Sequence, residues 1–163
     1  MRTGDVTSHG AAVFSVLIMT MRVTKHIRLA ATQRPASDGI ELAAHERHLR
    51  RKLLVTENGI EVMVDFPLAV FIEDGDHLEL ENGATVEVRA AEEQLIEVRA
   101  MSAAHLVKLA WHIGNRHLAA QIEGDRILIL QDRVIGAMLE QLGANVTFVQ
   151  EQFFPEHGAY HGH

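Results

Sequence analysis

Residues 95–149 read LIEVRAMSAAHLVKLAWHIGNRHLAAQIEGDRILILQDRVIGAMLEQLGANVTFV, and the fold is decided there. Leu95-Ile96-Glu97-Val98 reads as a strand. Ser102 then offers a helix N-cap, with Met101 and Leu106 placed as a hydrophobic staple. Leu106, Leu109, Ala110 and Ile113 fall at i, i+3, i+4 and i+7, the stripe of an amphipathic helix, and Gly114 with Asn115 supplies its stop. Leu118 to Ile122 and Ile127 to Leu130 form a hairpin about the turn Glu123-Gly124-Asp125. A second helix runs from Asp132, with Val134, Ile135, Met138, Leu139 and Leu142 on one face and Gly143 at its end. Val146-Thr147-Phe148-Val149 closes as a strand. The order β-α-β-β-α-β predicts a ferredoxin-like domain, two helices covering one face of a four-stranded antiparallel sheet.

Upstream the texture is that of strands alone. Leu53-Leu54-Val55-Thr56 and Ile60 to Phe66 flank Glu57-Asn58-Gly59, and Asn-Gly between β-branched runs is a strong hairpin signal. A strand at Val70-Phe71-Ile72, a turn at 73–76, a strand from His77, a turn at Asn82-Gly83 and a strand from Thr85 continue it as a meander. Leu78, Leu80, Val86 and Val88 alternate with charged neighbours, so one sheet face is buried and the other wet. The class is α+β: a small all-β domain over 21–93, a ferredoxin-like domain over 94–152 and a flexible His-containing tail over 153–163. Residues 1–20 read as a disordered or non-native extension. The apolar run Ala11 to Met21 is shorter than the ~18 residues of a membrane span, and its flanks, with Asp5 before it and no small-x-small site after it, argue against export.

The chain has 163 residues, 15 Lys+Arg against 22 Asp+Glu, a formal charge of -7, 11 histidines and no cysteine. Such a chain buries enough surface to form a core without disulfides. Zero cysteine removes thiol nucleophiles, Fe–S clusters and Cys-ligated zinc, and fits a cytoplasmic location. The negative charge repels a phosphate backbone, and the strands after Ala90 lack the aromatic pair that stacks bases, so no nucleic acid partner is expected. No membrane partner is expected either.

No nucleophile elbow, phosphate loop or dinucleotide fingerprint is present, and no acid, base or nucleophile stands out, so an enzyme is not expected. His45-Glu46-Arg47-His48 spaces its histidines at i+3 and runs into a strand, where a zinc-protease motif needs i+4 on a helix. With Arg47, Arg50, Arg51 and Lys52 it reads as a solvated basic stretch. His105 and His112 share a helical face with Lys108 and read as solvated. Trp111-His112-Ile113-Gly114-Asn115-Arg116-His117 spans a helix end, a turn and a strand start. There His117 either caps the helix dipole or reaches outward to a metal or partner. Three of the last seven residues, His157, His161 and His163, are histidines in a stretch that also carries two glycines, the composition of a metal-binding tract. Neutral imidazoles without thiolates suit Ni(II), Cu(II) or Zn(II).

Ile113-Gly-Asn-Arg-His117-Leu-Ala-Ala-Gln-Ile122, Leu130-Gln-Asp-Arg-Val-Ile-Gly-Ala-Met-Leu-Glu-Gln-Leu-Gly143 and Phe154-Pro-Glu-His-Gly-Ala-Tyr160 resemble the UreE family of urease accessory proteins. The likeness covers roughly Met21 to His163 and is firmest after Ser102. It implies a homodimeric nickel metallochaperone that carries Ni(II) as cargo to apo-urease through a GTPase accessory partner, with a peptide- or partner-binding β domain ahead of a ferredoxin-like metal domain. It further implies that His117 is the principal ligand, facing its symmetry mate, with His157, His161 and His163 adding ligands from the tail and His112 as a further candidate. Gln131-Asp132-Arg133 stands where some members carry extra ligating histidines. The alternative is a ferredoxin-like regulatory domain binding a small molecule or another divalent metal, since fold alone decides no function.

Overall fold

The computed structural model describes residues 19–32 and 34–158. Twelve main elements follow one another: β1 (Thr20–Ile27), β2 (Asp38–Leu42), β3 (His48–Val55), β4 (Glu61–Phe71), β5 (His77–Leu80), β6 (Thr85–Ala90), β7 (Glu92–Arg99), α1 (Ala103–Gly114), β8 (Ala120–Ile122), β9 (Arg126–Leu130), α2 (Arg133–Gln141) and β10 (Asn145–Gln152). A mostly-β unit precedes an α/β unit. The first carries a six-stranded sheet in the order β2-β6-β5-β1-β4-β3 and the second a four-stranded sheet in the order β10-β7-β9-β8.

Both expected hairpins form in the first unit. Between β3 and β4 the Thr56 N–H bonds to the Ile60 carbonyl at 3.0 Å, and Gly59 takes φ +80°, which a residue with a Cβ adopts only under strain. Between β5 and β6 the Asn82 carboxamide accepts from the Ala84 N–H at 2.9 Å, an Asx turn ahead of Gly83. Leu78, Leu80, Val86 and Val88 are buried as their alternation predicts.

The meander is not what forms. β1 threads the middle of the sheet, parallel to β4 and antiparallel to β5, and β2 closes the far edge parallel to β6. Residues 70–71 end the long strand β4 instead of making a strand of their own. Period-two alternation says which side of a strand is apolar but not which strand lies beside it, and two parallel pairings leave no local mark.

In the second unit the four strands are all antiparallel. Ile96, Val98, Ile127 and Ile129 face the helices and pack with Leu109, Ile113 and Leu139. Gly136 of α2 faces the sheet, where a Cβ would come into ordinary contact with Ile96 Cδ1 at 3.4 Å. Ser102 caps α1 as expected, accepting from the His105 N–H at 3.2 Å, and Asp132 caps α2 through the N–H groups of Val134 and Ile135. The staple is absent, because Met101 is 82% exposed.

The opposite sheet face carries Leu95 and Leu128, which bury Phe153. Beside them Arg126 is held by Glu97, Glu123 and Glu151, which raise its pKa. A tail free from residue 153 onward is therefore a reading to correct. Phe153 is 1% exposed, and its carbonyl accepts from the guanidinium of Arg47 in the first unit. The sequence around it is polar and glycine-rich, but one large aromatic residue suffices to anchor a chain end.

Candidate metal centre

The centre of interest is the end of α1. The helix ends at Gly114 with Asn115 as its C-cap, the stop that the sequence suggested, but neither residue takes the left-handed conformation that reverses the chain. The turn is made three residues after Gly114 by His117, whose φ of +56° makes it the one non-glycine residue with positive φ among the described residues. Its N–H bonds to the Gly114 carbonyl at 2.9 Å, and the Leu118 N–H reaches the Ile113 carbonyl at 3.4 Å.

This pair of bonds is the Schellman arrangement, with Ile113 and Leu118 meeting in the apolar cluster beneath it. The same pair closes α2, from Gly143 to Glu140 and from Ala144 to Leu139, and there the left-handed residue is glycine with φ +85°. Two helix ends of identical construction thus differ in one respect. Where α2 uses glycine, α1 carries an imidazole in a conformation that costs an L-residue roughly 1–2 kcal/mol. Sparsely populated backbone states persist where a side chain is required at that spot.

The His117 side chain is exposed and enters no hydrogen bond or ion pair among the described residues. Its ring nitrogens are free to ligate. His112, in the last turn of α1, is half-buried and meets Trp111 edge-on at 5.1 Å. His105 is withdrawn: it accepts from the Met101 N–H at Nδ1 and lies 2.8 Å from the Leu142 carbonyl at Nε2, which fixes the proton on Nε2 and ties the start of α1 to the end of α2. Among the described residues no group of three or more His, Cys, Asp or Glu side chains converges on a point that holds a metal. Asp132, at the position where extra ligands were in question, spends its carboxylate on capping α2.

The tail approaches this end of the domain. Phe154 donates its N–H to the Gln121 side chain at 2.8 Å, and Glu156 donates to the Ala120 carbonyl at 2.8 Å, three residues past His117. His157 then turns away to the first unit, where its Nε2 lies 3.2 Å from Glu73 Oε1 and its ring sits 4.1 Å from that of Phe71. The structure does not bring His157 to His117. His161 and His163 lie outside the described residues.

Sequence reasoning missed the residues that hold the tail. Arg47 is not part of a solvated basic stretch; it is 5% exposed, under the ring of Phe154 at 5.3 Å. Burial pushes its pKa down, and the charges of Glu73, Glu93 and Asp74 push it back up. Lys52 pairs with Glu46 and Arg51 with Asp65, so these two cations of the run are held by carboxylates. The available signal was Leu49, two residues after Arg47, which had to meet a core at the start of β3.

Family models described as the N-terminal and C-terminal domains of UreE urease accessory protein match residues 19–91 and 93–163. A urease accessory protein UreE of Agrobacterium fabrum is 53% identical over 143 residues, covering 88% of this chain and 89% of the relative. One from Rhizobium rhizogenes is 51% identical over 142 residues, covering 87% and 85%. A urease accessory protein UreE 1 of Brucella suis is 56% identical over 128 residues, covering 78% of each.

Proposed function

The chain belongs to the UreE family of urease accessory proteins, and from that premise we propose that it is a nickel metallochaperone of urease maturation, carrying Ni(II) as cargo to apo-urease. The observation that carries the reading is His117. An exposed imidazole without a hydrogen-bond partner, held in a left-handed turn where the sister helix uses glycine, is a ligand offered outward. Nitrogen and oxygen donors are what a cysteine-free chain has for a borderline metal.

One imidazole fills little of a nickel coordination sphere, and the described residues of one chain offer no converging set. A homodimer in which two copies of His117 share the ion supplies the pair symmetrically. In support, α1 presents Val107 and Trp111 at 71% and 63% exposure, one turn apart on the last turns before His117. An exposed tryptophan beside a half-site suits a two-fold contact. His112 and the tail histidines His157, His161 and His163 are the further ligands of this reading, and Zn(II) and Cu(II) are expected to compete for the same nitrogens.

We read the second unit as ferredoxin-like, with its boundary at 93/94, on the element order and the antiparallel strand order given above. The protein acts by binding and release and catalyses nothing itself; its partners are the accessory GTPase and the apo-urease complex, in the cytoplasm. No helix among the described residues is long and apolar enough to cross a membrane. The test is reconstitution. With free nickel held low by a chelator, the nickel-loaded chain should activate apo-urease in the presence of its accessory proteins. Equal activation without the chain would contradict the assignment.

A further inference from the structure

We infer that His157 has two alternative positions, a berth on the N-terminal unit formed by Phe71 and Glu73 and a ligating position beside His117, and that nickel loading draws it from the first to the second. The inference rests on the nickel reading above and adds regulation to it. In the structure His157 occupies the berth. Its Nε2 is 3.2 Å from Glu73 Oε1, its ring is 4.1 Å from Phe71, and Phe71 is itself stacked on His48 at 4.2 Å and 7° between planes.

The approach to the berth is built residue by residue. Phe153 is buried between Leu95 and Leu128, the Phe153 carbonyl accepts from buried Arg47, and the N–H groups of Phe154 and Glu156 are both bonded to the β8 strand. His157 therefore reaches Phe71 with most of its chain entropy already spent, and a weak contact suffices to hold it. The same anchoring keeps it near the metal. Glu156 is tied to Ala120, and three residues of chain span at most ~10 Å, so an undocked His157 lies within reach of His117.

A metal on Nε2 would need the position that faces Glu73 in the docked state, so docked and ligating imidazoles exclude one another. Any docked fraction lowers the apparent nickel affinity by the same fraction, and the coupling is reciprocal: bound nickel must lower the occupancy of the berth. The β unit would then report the metal state of the α/β unit by losing the His157 contacts to Phe71 and Glu73.

Ni(II) titration of the full chain by calorimetry tests this with two mild substitutions in the berth, Phe71→Leu and Glu73→Gln. Each should tighten nickel binding by about three- to tenfold, the factor expected if the berth is mostly filled without metal. In a His157→Ala background neither should have any effect. With Zn(II) as a diamagnetic probe, the aromatic NMR signals of Phe71 in saturated wild type should coincide with those of metal-free His157→Ala. Unchanged affinity in both variants overturns the inference, as does weaker binding in Glu73→Gln, which would make Glu73 a ligand. The two readings fail separately: nickel binding that survives His117→Ala removes the metal assignment, whereas nickel held through His117 but indifferent to Phe71→Leu removes only the berth.

Discussion

His117 combines two demands that conflict. The turn that ends α1 wants a residue without a Cβ, and the proposed ligand must be an imidazole. Replacing it should show the conflict directly. His117→Gly removes a left-handed strain of roughly 1–2 kcal/mol and adds back some glycine entropy in the unfolded chain, leaving a net gain of about 0.5–1 kcal/mol. A rise in melting temperature of about 2 °C is expected in the metal-free protein, with nickel binding lost. A fall in melting temperature would mean that the imidazole stabilises the turn. The tetrapeptide Gly114-Asn115-Arg116-His117 drew attention in sequence as the proposed site, but its conformation was not legible there. Gly114 and Asn115 mark the end of α1 as their residue types predict, and nothing in the sequence marks His117, two residues on, as the one that turns left-handed.

At the scale of elements, the two helices of the second unit were legible because each has one buried face and a marked end, and its strands because each holds a short apolar run. Ser102, Asp132 and Gly143 do in the structure what their residue types predict. The first unit gave up its hairpins through Asn58-Gly59 and Asn82-Gly83 and withheld its sheet order, since parallel neighbours such as β1 and β4 are joined by no short turn. The proposed two-fold contact rests on α1, where Val107 and Trp111 are exposed one turn apart. Exposed tryptophans at two-fold contacts act as hot spots worth about 2 kcal/mol or more, so Trp111→Glu should weaken dimerisation by roughly thirtyfold. Sedimentation equilibrium reads this, and because Trp111 is 63% exposed the monomer should keep its circular dichroism and melting temperature. An unchanged dimer would place the two-fold contact elsewhere.

Across the whole molecule, buried polar contacts pin segments that the sequence leaves unmarked. Asp76 is 2% exposed and binds His26 at 2.6 Å and the N–H groups of Leu29 and Glu73 at 2.8 and 3.0 Å. Burial alone would raise its pKa, but these hydrogen bonds outweigh burial and hold it below the usual carboxylate range. Glu97 is lowered likewise by Arg99 and Arg126. Carboxyls depressed on folding contribute stability that is present above their unfolded pKa of roughly 4 and is lost as pH falls through the folded values. Urea unfolding should therefore show little change from pH 7 to 5 and a steep loss towards pH 3. Asp76→Asn, less stable at pH 7 by about 1–3 kcal/mol, should lose less over that last interval. Equal losses would mean that Asp76 does not contribute to acid unfolding. The account stands on a nickel ion shared by two copies of His117, and calorimetric Ni(II) titration of wild type and His117→Ala, with sedimentation of the same samples, tests it most directly. Wild type should bind its tightest ion at one per dimer, with nickel strengthening the dimer, and His117→Ala should lose both the site and the strengthening. An alanine variant that keeps its tightest site at one ion per dimer would contradict it.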